Sequence, residues 1–121
     1  MTLGRLDQKK FPFFREATEA ANSDIYNNSG FGILTLEVSG AESVSLKVQG
    51  CINSEDANKN PIADENLVWS DLAAINTKDF SLGSTISANG IYAISIIGMP
   101  KIRVVLESVS GTVNAIGVLE A

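Results

Sequence analysis

The chain has no histidine and a single cysteine, Cys51, in 121 residues. Without histidine there is no Ser-His or Cys-His nucleophile pair and no imidazole metal ligand. One thiol can neither close an intramolecular disulfide nor build a thiolate zinc cluster. Nothing in the sequence activates Cys51, so it reads as a small core hydrophobe. No glycine-rich phosphate loop of the required spacing is present. No apolar run reaches the roughly 18–20 residues of a membrane-spanning helix. The first ten residues lack the apolar stretch of a secretory signal, so folding in a cytoplasm is expected. Positive charge is scarce, with nine Lys and Arg against fourteen Asp and Glu and a net charge of -5. Such a surface repels phosphate backbones and anionic lipid, so neither nucleic acid nor membrane is an expected partner.

What is present is ordinary globular composition, 45% hydrophobic and 19% charged, in a chain long enough to bury its own core. Apolar residues alternate. Leu34, Leu36 and Val38 share one face, and Val44, Leu46 and Val48 share another after Gly40-Ala41-Glu42. Period-two runs joined by a short glycine-containing link predict a hairpin. Residues 53–66 form the longest polar stretch and the main loop. A strand is expected around 67–75, broken near Asp71, and a short one over 79–82. Ile91–Ile97 is apolar on both faces, which predicts a central strand covered on both sides. A tight turn at Gly98-Met99-Pro100 would pair it with Lys101–Glu107. Ser110-Gly111 then reads as a turn into a last strand, Thr112–Leu119.

About eight strands at short, regular spacing predict an all-β fold. The expectation is a single antiparallel β-sandwich, jelly-roll-like, over 30–121, preceded by an N-terminal arm or extended segment over 1–29. Phe11-Pro12-Phe13-Phe14 does not read as a regular element, because proline interrupts helices and central strands alike. Its phenylalanines either plug the core or dock on a neighbouring subunit, since exposed aromatic clusters mark contacts. Phe11, Phe13 and Phe14 are therefore the candidate subunit-contact residues.

Candidate chemistry is thin. Glu55-Asp56 and Asp64-Glu65 are adjacent acids in a polar loop, which read as solvated rather than as a glycosidase pair. Asp56-x-Asn58-x-Asn60 opens like a calcium loop, but Pro61 stands where a turn glycine is required and Leu67 where a bidentate glutamate belongs. No metal and no cofactor are expected. Trp69, with Tyr92, could form a sugar-stacking platform. A tryptophan between Val68 and an apolar stretch reads first as core, and otherwise as a glycan platform or a subunit contact.

The segment from Leu34 to Gly117 carries Gln49-Gly50, Trp69-Ser70-Asp71-Leu72, Asn89-Gly90-Ile91-Tyr92, Ile102-Arg103-Val104 and Ser110-Gly111-Thr112-Val113. In these it resembles small β-sandwich virion structural proteins of tailed bacteriophages and prophages, of decoration or tail-associated type. The resemblance implies a homo-oligomeric protein, not an enzyme, made in the host cytoplasm and built into the virion. Its partners would be major capsid or tail proteins. The first implied role is a head decoration or accessory protein that stabilises the particle. The alternative is a tail- or fibre-associated module that binds a host-surface glycan through Trp69. The phenylalanine-rich N-terminus and the 53–66 loop lie outside the resemblance.

Overall fold

The computed structural model describes residues 8–120. Nine strands form: β1 (Gln8–Ala17), β2 (Ala21–Asn22), β3 (Tyr26–Asn27), β4 (Ile33–Cys51), β5 (Ser70–Asp71), β6 (Ala74–Asn76), β7 (Leu82–Gly83), β8 (Gly90–Ser95) and β9 (Lys101–Glu120). All pair antiparallel within one sheet, ordered β1-β9-β4-β8-β6-β7, with β2 and β3 on β9 and β5 on β4. The all-β antiparallel class expected from the alternation is the one observed.

Two long strands carry the sheet. β4 has 19 residues and β9 has 20, paired from Ile33↔Glu120 to Cys51↔Lys101. Sequence reading cuts each in two, at Gly40 and at Gly111. The structure keeps each as one strand and bends it there. Gly40 and Gly111 have φ of +86° and +81°, which glycine adopts without a Cβ clash. The bends face each other, since Ala41 pairs with Gly111, and the register slips on either side of Ala41. Bulges at this point add curvature.

Coincident bends fold the β4–β9 ribbon over on itself. Phe11 pairs with Gly117, and Tyr26 with Ile102, on the same strand β9. A straight strand would hold those two positions about 50 Å apart. The two rings instead touch, with centroids 5.1 Å apart. The sandwich is one sheet closed like a book, whose two leaves share their central strands.

The core lies between the leaves. Leu34, Leu36, Val38, Val113, Ala115 and Leu119 of one leaf face Val44, Leu46, Val48, Ile102, Val104 and Leu106 of the other, and all are buried. Each of the Leu, Ile and Val side chains contributes roughly 1.5–3 kcal/mol by leaving water. Tyr92, Ile94 and Ile96 extend the same layer. Ser23 is the buried polar residue among the described residues. Its Oγ accepts the Val104 N–H at 2.8 Å and donates to the Asp24 carbonyl at 2.9 Å, so the short β2–β3 flap is pinned to β9.

Three expectations change. First, residues 8–17, which do not read as a regular element in the sequence, form an edge strand on β9, the extended segment of the two alternatives. Phe13 and Phe14 are buried in the protein's own core, and Phe11 packs half-buried against Phe13 and Tyr26. Gly117 makes the room, because a Cβ there would stand 2.7 Å from the Phe13 ring. These phenylalanines plug the core, so Phe13 and Phe14 are not free for a neighbouring subunit. Expectations that fall on residues 1–7 lie outside the described residues. Second, β8 does not pair with β9 as a hairpin. It lies between β4 and β6, and the turn after Ile96 carries the chain across to the other leaf. Third, β8 is covered on one side only. Tyr92 and Ile94 are buried, while Ile91 stands exposed on the outer face.

Candidate functional site

The 52–69 excursion is built from its own backbone. Asp56 Oδ1 accepts the N–H groups of Asn58 and Asn60 at 2.8 and 3.0 Å. Glu55 and Pro61 bridge, and Ile62 donates to the Ser54 carbonyl. This is turn chemistry: a short aspartate satisfying nearby amides. The loop ends in a 3-10 turn over Asp64–Asn66 and in buried Leu67. Lys101 Nζ reaches Asp64 at 3.7 Å, tying the excursion to β9. Among the described residues, no three His, Cys, Asp or Glu side chains converge as a metal cage would need. Cys51 is buried, with its Sγ 3.5 Å from the Asn53 carbonyl.

The outer face of β9-β4-β5 carries a row of paired polar groups. Gln49 stands opposite both Arg103 and Asp71 in register. Arg103 Nε donates to Gln49 Oε1, and Gln49 Nε2 donates to Asp71 Oδ1, each at 2.9 Å. Lys47 completes the row with Asp71 at 3.3 Å and Glu107 at 3.6 Å. Trp69 caps it. Its ring lies under the Arg103 guanidinium, 4.3 Å from centroid to Cζ, a cation–π contact. Trp69 is half-buried and outside the core cluster, which corrects the core reading. Tyr92 is buried on the inner face, with its hydroxyl donating to the Ala88 carbonyl. The two aromatic rings expected as one platform are therefore on opposite faces.

The row has an acid-side signature. The Gln49 hydrogen bond, then Lys47, hold the Asp71 carboxyl below its usual range. A depressed carboxylate stabilises the fold above its unfolded pKa, and that contribution is lost as pH falls through the folded value. Lys47 is shifted upward, by Asp71 first, so its contribution disappears only at alkaline pH. Thermal melts taken from pH 7 down through about pH 4 are expected to show a smaller fall in Tm for Asp71→Asn than for the unsubstituted protein.

Beside the exposed Ile52 and Val68 of the 52–69 excursion, two apolar features stand on the surface of the sheet ends. One is a cleft of about 520 Å³ between the 28–32 turn and the 97–100 turn, lined by Phe31, Ile33, Ile97, Met99 and Pro100. Asn28 clamps these turns together, donating from Nδ2 to the carbonyls of Phe31 and Met99. The other is the turn joining β6 to β7. Phe80 is 80% exposed there and has φ of +61°, a left-handed conformation that costs a non-glycine residue roughly 1–2 kcal/mol. Hydrogen bonds hold it. Phe80 N–H donates to the Asn76 carbonyl, Lys78 N–H to Asn76 Oδ1 and Ser81 N–H to Asp79 Oδ1. Sequence reading placed a strand at 79–82 and missed this turn. The Asn76-Thr-Lys-Asp79 spacing of side-chain acceptors was the available signal.

No family model and no curated protein sequence matches the chain. Two solved structures do. The SPBc2 prophage-derived protein YomS aligns over 100% of this chain and 99% of its own, with a TM-score of 0.76 and 25% identity. The PBSX exported protein XepA aligns over 100% of this chain and 40% of its own, with a TM-score of 0.76 and 19% identity, which is a likeness of fold. The chain is similar along its whole length to a protein of prophage origin, and that likeness supports a phage-related protein.

Proposed function

We propose that this protein is a structural component of a phage particle, a head decoration or accessory protein that acts by binding other particle proteins and not by catalysis. The observation that carries the reading is the end-to-end match in fold and length to a prophage-derived protein. The surface agrees with it. Lys47, Asp71 and Glu107 on the outer face pair with one another, while apolar groups stand exposed at the Phe80 turn and at Ile97, and apolar anchors with matching pockets carry much of protein–protein contact. Its partners are then major capsid or tail proteins, and its location is the virion. The test is quantitative mass spectrometry of particles purified from a host carrying the gene. A fixed, repeated copy number on heads is expected. Absence from purified particles would overturn the structural reading, and presence on tails alone would move it from decoration to a tail role.

One observation favours a second reading, a tail- or fibre-associated module for a host-surface glycan. Trp69 is outside the core, under the Arg103 guanidinium that continues the row through Gln49 to Asp71. Glycan-array binding that disappears in Trp69→Ala, with the fold unchanged, is the result this reading requires.

A further inference from the structure

The Phe80 turn and the apolar cleft lie at opposite ends of the same strand. Thr77 N–H donates to the Ile91 carbonyl, so residues 78–80 project past the first residues of β8. The cleft begins at Ile97, beyond the last. Six strand residues separate the two by about 20 Å. Both features are exposed: Phe80 by 80% and Ile97 by 73%. Both are also held rigid by hydrogen bonds that do not involve the core. A preorganised aromatic knob loses little freedom when it enters a pocket.

Their charges are complementary as well. Lys78 sits two residues before Phe80 and makes no ion pair among the described residues. Asp79, between them, has its carboxylate turned onto the Ser81 N–H. At the cleft, Glu120 is paired in register with the lining residue Ile33, so their side chains share a face. Glu120 too makes no ion pair among the described residues.

From this geometry we infer that the protein associates with itself head to tail, the Phe80 turn of one copy entering the Phe31–Ile33–Ile97–Met99 cleft of the next, with Lys78 against Glu120. Because knob and cleft are on different ends, the contact is heterologous, and it propagates into a ring or filament rather than stopping at a two-fold dimer. One aromatic knob and its pocket bury on the order of 500 Å² in all, well under the roughly 1,200 Å² of a stable complex. Each contact is therefore weak, and assembly depends on concentration. The inference names a contact within the proposed structural role, but it is read on the isolated protein and so fails or stands separately from particle incorporation.

Sedimentation velocity on the full chain from about 10 μM to 1 mM tests it. The unsubstituted protein is expected to pass from monomer to species larger than dimer. Phe80→Gly removes the knob and relieves the left-handed strain, so its Tm holds or rises while it stays monomeric. Ile97→Asp removes the cleft at an exposed position and also stays monomeric. An equimolar mixture of the two variants retains one knob and one cleft, and is expected to form a dimer and nothing larger. Lys78→Glu alone weakens association, and Glu120→Lys in the same chain restores it. A monomer at every concentration, association unchanged in Phe80→Gly or Ile97→Asp, or no dimer in the mixture would each overturn the inference.

Discussion

Phe13→Ala is expected to destabilise the isolated protein by about 3–5 kcal/mol, the range for truncating a large aromatic in a packed core. Phe13 is buried in the main cluster. Its ring touches Phe11 and fills the space that Gly117 leaves open beside Leu34. Urea denaturation measures the loss, and a Tm lowered by roughly 10–20 °C would accompany it. The same substitution at a docking arm would leave the monomer's stability unchanged and reduce only its binding. The experiment thus separates the two roles that Phe11-Pro12-Phe13-Phe14 can play. Lys10→Ala is the control. It is an exposed position on the same strand, where a change within about 0.5 kcal/mol is ordinary.

The second large effect is expected at the bends. Gly40→Val puts a β-branched residue at φ +86°, with its Cβ 3.1 Å from the Thr112 carbonyl oxygen, a backbone atom that cannot step aside. Gly111→Val meets the same strain at φ +81°. Each is expected to cost about 1–3 kcal/mol. The two sit across the ribbon from each other, so the double variant should depart from additivity. It should lose a large part of the 5–15 kcal/mol that ordinary domains have. Gly83→Val, where φ is not left-handed and a Cβ meets nothing closer than 4.0 Å, should change stability little. Equal losses at all three positions would mean that the bends carry no special load.

These glycines also show what the sequence could and could not convey. The alternation at Leu34–Val38 and Val44–Val48 predicted shared faces, and those faces lie in the core. Alternation is a local property of the pleat, so it is legible. A left-handed glycine is equally compatible with a hairpin turn and with a bend inside a strand, because both need the same φ. Only the pairing of distant residues tells them apart, and Ala41 opposite Gly111 is not a local fact. The same holds for β8. Its adjacency to β9 in sequence suggested a hairpin, yet its partners are β4 and β6. At the candidate contacts, exposure decides the matter. Trp69, Ile97 and Phe80 look like core residues in a sequence, and the structure leaves all three partly or largely in solvent.

The shared long strands bear on how the chain is made. β9 comes last in order among the nine described strands, and β1, β2, β3 and β4 all pair with it. Until Lys101–Glu120 has left the ribosome, β1, β2 and β3 have no partner and β4 lacks its longest one. The β6–β7 hairpin is local, but the pairing that organises the sheet joins residues as far apart as Ile33 and Glu120. Folding dominated by such non-local pairs is slow, on the millisecond-to-second scale. The sheet is therefore expected to form only once β9 is available, with the apolar runs before it accessible to chaperones until it docks.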